Sequence, residues 1–253
     1  MTAGPVICCP YRLYSNEYRV LADVARIAFK GDVALFRGNQ ARTSVCDSDK
    51  IKVAVFGKRW GKELRLPTRG RSGASFVDRV LARLDADGKL LEFVAVEVQS
   101  IDTTGNYRGE RQAYLDGDKE PAASTAGFNW ENVNKRILPQ IIYKGHVLRR
   151  ERLCQRGLFF VCPEPVYHKI RERLGGNVLE YKNLQPGSLS IMWYDVGAPV
   201  PNGTMRDLEL KGHFMTTVDQ VALAFTSPSN LPADNVYEAA ILQALKEGSP
   251  LQS

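Results

Sequence analysis

Two carboxylates and an amide form the pattern richest in chemistry: Asp78, then Glu97-Val98-Gln99. Residues i and i+2 of a strand point to one face, so Glu97 and Gln99 share a side. Their segment, residues 92–101, has one wholly apolar face of Val94, Val96 and Val98 and another reading Phe93, Ala95, Glu97, Gln99, Ile101. A strand apolar on both sides belongs in the middle of a sheet. A carboxylate buried there is costly unless it is paired or binds a cation. Asp78, on the preceding strand, is placed to bring a second carboxylate alongside. Adjacent carboxylates raise each other's pKa unless a divalent cation sits between them. Mg²⁺ suits such a site, taking one or two carboxylates with waters and a phosphate, and Mn²⁺ is expected to substitute. The backbone carbonyl of Val98 is a natural further ligand, and Gln99 would face the attacking water or the phosphate. The chemistry is metal-dependent phosphodiester cleavage, in which the cation acidifies a bound water and neutralises charge at phosphorus. By spacing alone a plainer arrangement also fits, with Glu97 paired to a core arginine and Asp78 closing a turn.

The elements that must position these groups can be read from pattern. Residues 76–84 alternate, with Asp78, Val80, Ala82 and Leu84 on one face and Val77, Arg79, Leu81 and Arg83 on the other. The turn Asp85-Ala86-Asp87-Gly88-Lys89 then makes a hairpin with the Glu97 strand. Upstream, Ser15 caps a predicted helix over 16–29 stopped by Gly31. Strands are predicted over 51–56 and 63–66, the second ended by Pro67, and a turn over 69–73. Downstream, a connection over 117–127 leads to a helix over 132–150, its stripe built from Val133, Ile137, Leu138, Ile141, Ile142 and Leu148 and bent at Pro139. A buried strand over 157–162, a helix opened by Pro163 and Pro165, strands near 177–182, 188–196 and 207–213, and helices near 218–225 and 235–246 complete the chain. The plan is α/β, a mixed β-sheet flanked by helices. One domain over 1–253 is expected, with a core at about 51–162 and residues 163–253 completing the sheet and its flanking helices.

Composition narrows the function classes. With 44% hydrophobic and 25% charged residues the chain is neither disordered nor collagenous. No apolar run approaches the roughly 18 residues of a membrane span, and the first residues lack the basic and apolar regions of a signal peptide; a cytoplasmic protein without a membrane partner is expected. The five cysteines form no CxxC pair and the three histidines lie far apart, which argues against a disulfide framework or a zinc site. The net charge of +6 is modest, but the bases cluster. Lys58, Arg59, Lys62, Arg65, Arg69 and Arg71 face only Glu63; Lys144, Arg149, Arg150, Arg152 and Arg156 face only Glu151. Either run fits a solvated face or a phosphate backbone.

The stretch from Ser75 to Leu115 resembles the NotI-like restriction endonucleases, in which an Asp on one strand is followed by E-x-Q on the next and then by a D-x-x-G-x-Y segment. Here these are Asp78, Glu97, Gln99 and Asp102-Thr103-Thr104-Gly105-Asn106-Tyr107. Cys9-Pro10-Tyr11-Arg12-Leu13 is similar to the family's C-P-x-R segment, Trp60-Gly61-Lys62-Glu63-Leu64 to its G-x-E strand and Asn132-Val133-Asn134-Lys135-Arg136 to its N-V-x-K-R helix start. Gly157-Leu158-Phe159-Phe160-Val161 before Pro163 resembles its next strand, and Glu209-Leu210 with Val218-Asp219 its C-terminal unit. The resemblance implies a PD-(D/E)xK restriction-endonuclease-like core that cuts double-stranded DNA with Mg²⁺. It makes Asp78 and Glu97 the metal-binding carboxylates and puts Gln99 where a catalytic Lys usually stands. Glu63 maps onto an acidic residue that binds a second metal or a metal-bound water, or else pairs with a neighbouring Arg. The family's four-cysteine iron site has no counterpart, since Cys46, Cys154 and Cys162 are dispersed, so no iron is expected.

With that implication the first basic run acquires a use. Lys58, Arg59, Lys62, Arg65, Arg69 and Arg71 would lie beside the scissile phosphate, where phosphate contacts position a duplex without reading it. Arg69 and Arg71 could instead reach guanine edges. Asn106, Tyr107, Arg108, Lys135 and Arg136 complete the expected DNA-binding set. The leading expectation is a Type II restriction endonuclease acting as a homodimer on a two-fold symmetric site and leaving 5′-phosphates. The alternatives are a modification-dependent or repair nuclease of the same fold, a catalytically inactive DNA-binding protein, and a small-molecule enzyme with basic loops.

Overall fold

A computed structural model describes residues 6–66, 76–105, 108–117, 127–201, 204–227, 229 and 231–247. In chain order the elements are α1 (Pro10–Leu13), α2 (Ser15–Phe29), β1 (Val33–Arg37), β2 (Ile51–Gly57), β3 (Arg79–Leu84), β4 (Leu90–Val98), β5 (Thr103–Thr104), α3 (Arg108–Leu115) and β6 (Gly127–Phe128). A π-helical turn (Val133–Ile137) then runs into α4 (Leu138–Leu148), followed by β7 (Leu158–Pro163), α5 (Glu164–Leu174), β8 (Ser188–Val196), β9 (Leu208–Thr217), α6 (Val218–Thr226) and α7 (Val236–Glu247).

Seven strands make one mixed sheet in the order β1-β2-β3-β4-β7-β8-β9, and β5 pairs with β6 apart from it. β2, β3 and β4 form an antiparallel meander, while β4, β7 and β8 run parallel. Parallel neighbours need crossover connections, and α4 and α5 supply them. Helices cover both faces. On one, Val20, Leu21, Val24, Ala25 and Ala28 of α2 pack on Val53, Val55, Leu81, Val94, Val96 and Val98. On the other, α4, α5 and α6 bury Leu138, Ile141, Val166, Ile170 and Val221 against Ala95, Leu158, Phe160, Leu189 and Ile191. The expected α/β plan is the observed one, with β4 at the centre where its two apolar faces require it.

Several local expectations are corrected. Ser15 does not cap α2; its hydroxyl donates to the Arg12 carbonyl at 2.8 Å. Asn16, Glu17 and Tyr18 all have left-handed φ, between 54° and 62°, so the regular right-handed helix starts only after Tyr18. The stop is Lys30, left-handed at φ 57° with its N–H on the Arg26 carbonyl, one residue before the expected Gly31. Residues 177–182 form no strand, although Val178 is buried and the Tyr181 N–H meets the Met215 carbonyl at 2.8 Å. Residues 63–66 contribute only a single bridge, Arg65 to Phe76. The turn expected over 69–73 lies outside the described residues. Edge strand β1 has no counterpart among the expected elements; five residues without clear alternation give little periodic signal. Cys154 and Cys162 are buried and all five cysteines are free thiols. Among the described residues no helix is long and apolar enough to cross a membrane.

Candidate active site

The hairpin register sets the geometry. Arg79 of β3 lies opposite Val96 of β4, and one further antiparallel step carries Asp78 alongside Glu97. Asp78 is the residue just before the chain enters β3, beside the carboxyl end of β4. Its Oδ2 accepts the Val98 N–H at 2.9 Å. A strand residue presents N–H and carbonyl to the same neighbour, so the Val98 carbonyl lies on the edge facing Asp78. Gly57 makes room for this: with φ at +143°, an added Cβ would lie 2.4 Å from the Asp78 carbonyl oxygen. Arg79, only 7% exposed, donates to that same oxygen at 2.6 Å and lays its guanidinium 4.7 Å from the centre of the Tyr14 ring.

Glu97 points to the opposite layer, towards α4. There Lys144 Nζ meets Glu97 Oε2 at 2.8 Å, with both side chains only about a tenth exposed (11% and 10%). The other oxygen, Oε1, is buried and accepts no hydrogen bond. Burial, and secondarily the charge of Asp78, push the Glu97 carboxyl up to about 7 against the opposing pull of Lys144. Burial and the Asp78 charge together outweigh the lysine and a weaker backbone contact from Asp78, both of which pull the value down. Burial and Asp78 likewise push the Tyr14 phenol up, so Tyr14 is a neutral wall of the site.

On the α2 side a cleft of about 210 Å³ opens onto Asp78, Val98 and Arg79, and Lys58, Arg59 and Glu63 line its rim with Tyr11 and Tyr14. The Arg59 guanidinium sits 5.4 Å from the Tyr11 ring centre. Among the described residues no ion pair holds Glu63, so its carboxylate is available to the cleft. Two carboxylates, Asp78 and Glu63, and three cations, Lys58, Arg59 and Arg79, thus meet at one end of the sheet, with buried Glu97 just behind. No cluster of three or more His, Cys, Asp or Glu suited to a metal occurs among the described residues; the candidate ligand set is Asp78, Glu97 and the Val98 carbonyl.

Other expected residues lie elsewhere or are already engaged. Lys62 is exposed and does not line the cleft. Arg65 lines a separate apolar cleft of about 440 Å³ with Leu64, Leu66 and Phe93. The Gln99 backbone N–H is bound to the Val161 carbonyl at 3.0 Å, which seats its half-buried side chain at the end of β4. Lys135 pairs with Glu131. Arg136 pairs with Asp102 at 2.7 Å, and the Asn132 amide donates to the same carboxylate at 2.9 Å. Arg108 opens α3 on the surface. Arg69, Arg71, Asn106 and Tyr107 lie outside the described residues.

Three site residues are absent from the set expected from sequence: Lys144, Arg79 and Tyr14. Lys144 left a signal, because it follows Ile141 by three and precedes Leu148 by four, inside the apolar stripe of its helix. Arg79 left a weaker signal, two residues before Leu81, which packs toward α2. Tyr14 left none, since a tyrosine at the junction of α1 and α2 has no periodic context.

The model of one protein family, restriction endonuclease NotI, matches residues 2–170, about two thirds of the chain. The chain belongs to the NotI restriction endonuclease family. No curated protein matches it. The matched span contains every residue of the candidate site as built above, from Tyr11 and Tyr14 through Asp78 and Glu97 to Lys144. It ends before Glu209-Leu210 and Val218-Asp219, on which the sequence resemblance also drew. Membership of this family makes the chain a nuclease of the restriction class, with DNA as its substrate.

Proposed function

We propose that the chain is a Type II restriction endonuclease that hydrolyses both strands of a specific duplex site, as a homodimer, with Mg²⁺ held by Asp78, Glu97 and the Val98 carbonyl. One observation carries the reading: Glu97 Oε1 is buried without a hydrogen-bond donor, beside an Asp78 carboxylate fixed by the Val98 N–H. A buried bare carboxylate oxygen next to a second carboxylate fits a hard cation. When bound, that cation supplies Lewis acidity and a water that ionises near neutral pH.

The chain's own residues do the rest. Lys58 and Arg59 on the cleft rim receive the phosphate backbone and hold a phosphodiester over Asp78. Gln99 offers an amide to the attacking water or to a phosphate oxygen. Glu63, across the cleft, orients water on the side away from Glu97. Displacement at phosphorus in line with the 3′-oxygen leaves a 5′-phosphate. Symmetry accounts for cleavage of both strands, because an isologous dimer presents one site to each.

The test is digestion of phage DNA with Mg²⁺, then with EDTA. Discrete fragments that vanish with the chelator are expected. Smearing on all DNA counts against site specificity, and cutting confined to methylated DNA would favour a modification-dependent enzyme. Asp78→Ala and Glu97→Ala should each lower the cleavage rate by about a thousandfold or more, the scale of several kcal/mol of transition-state stabilisation. Intact cutting in both variants would sink the site assignment.

A further inference from the structure

We infer that Lys144 of α4 is a positioning residue of the active centre, holding Glu97 by one oxygen so that the other is presented to the metal. The inference rests on the metal-dependent reading above and adds to it a residue outside the strand pair.

Its place in the fold is not explained by stability. Lys144 occupies the apolar stripe of α4 with Leu138, Ile141, Gly145 and Leu148, all buried. Lysine is almost never fully buried unless paired, and replacing a buried ion pair by well-packed apolar residues is often neutral or stabilising. A lysine kept in the stripe therefore calls for a role at the group it touches. That group is Glu97 Oε2, at 2.8 Å.

The contact is one-sided. Oε2 is gripped and Oε1 is bare, so the carboxylate is fixed in orientation with a single oxygen free. Gln99, two residues along the same strand, carries no charge, and Lys144 is the cation paired with Glu97 among the described residues. The helix that carries Lys144 is itself held firmly. Gly145 packs so closely on α6 that an added Cβ would lie 2.3 Å from a Val218 methyl. The preceding turn is tied through Asn132 and Arg136 to Asp102. A reach fixed by the backbone is what a positioning group requires.

The experiment replaces the ammonium by an apolar chain of similar length, Lys144→Met, with Lys144→Arg as the conservative partner. Folding is checked by circular dichroism, Mn²⁺ binding by electron paramagnetic resonance without DNA, and cleavage by kcat and KM at several Mn²⁺ concentrations. Loss of a group that orients a metal ligand costs about 10–100-fold in metal affinity or activity. The expected result is a folded Lys144→Met protein whose Mn²⁺ dissociation constant rises by about that factor. Its KM for DNA should stay near the wild-type value, kcat should recover as Mn²⁺ is raised, and Lys144→Arg should lie between. Wild-type Mn²⁺ affinity and kcat in a folded Lys144→Met protein would overturn the inference.

If Lys144→Met does not fold, a crystal structure of the wild type with Mn²⁺ decides. Nζ on one Glu97 oxygen and Mn²⁺ on the other supports the inference; a lysine turned away overturns it. Failure of the parent reading looks different. A wild type that binds Mn²⁺ yet cuts no DNA removes the nuclease assignment while Lys144 is still judged from Mn²⁺ affinity. A wild type that takes up no Mn²⁺ overturns the inference together with the metal site.

Discussion

The two basic runs look alike as strings and are used in opposite ways. In the first, Lys58 and Arg59 stand on the rim of the Asp78 cleft with exposed side chains, open to an anion. In the second, three of the five charges pair with the protein's own acids. Lys144 meets Glu97, Arg149 meets Asp219, and Arg156 meets Glu92 at 2.7 Å while Arg83 holds that carboxylate from the other side at 3.0 Å. The first run offers attraction to an outside partner; the second is partly neutralised within the fold. Charge density along a sequence therefore does not locate a nucleic-acid surface until the acids each base can reach are known.

That contrast can be broken experimentally, and the largest effect is expected at the acid where the second run touches the site. Glu97 ionises near 4.5 in an unfolded chain and near 7 in the folded, metal-free protein. Between those values the folded state holds the extra proton, so stability falls as pH rises through that window, by on the order of 3 kcal/mol. Urea unfolding at pH 5 and pH 7.5 measures it, and Glu97→Gln should flatten the difference. A wild type equally stable at both pH values would show that Lys144 fully compensates burial.

Next in size is reversal of the open run. Lys58→Glu with Arg59→Glu should weaken metal-free DNA binding by at least about tenfold and lower the salt slope by about two, near 0.9 for each phosphate that the protein no longer neutralises. An unchanged slope would remove these residues from the interface. Arg156→Met should cost about 1.5 kcal/mol in thermal unfolding, the low end for a hydrogen bond to a charged group, and leave the salt slope unchanged. Arg149→Ala, at an exposed pair, should cost below about 1 kcal/mol. A salt slope that fell for either would mean that the second run also meets DNA.

Much of the site was legible because its signals are local. The period-two pattern over 76–84 and 92–101, with a five-residue turn between, is enough to pair Asp78 with Glu97, and the observed register does so. The double-sided apolar run places β4 at the centre of the sheet. What sequence alone leaves open depends on contacts between elements distant along the chain. The partner expected for Glu97 is an arginine or a cation, and the ion-paired one is a lysine 47 positions further on. The left-handed residues Asn16 to Tyr18, which seat Tyr14 on Arg79, carry no glycine to announce them. The stretch 177–182 forms no strand, although the Tyr181 N–H reaches the outer edge of β9 at Met215.

The π-helical turn before α4 sets the phase of that helix. Each residue of an α-helix advances about 100° around its axis, and a π turn accommodates one residue more than the α path it replaces. Residues before the turn and within it are anchored to Asp102, and Lys144 beyond it to Glu97. Deleting one residue from Val133–Ile137 would leave a longer, more regular helix and yet turn one anchor away from its acid. In this protein the irregular helix is the one in register with its chemistry.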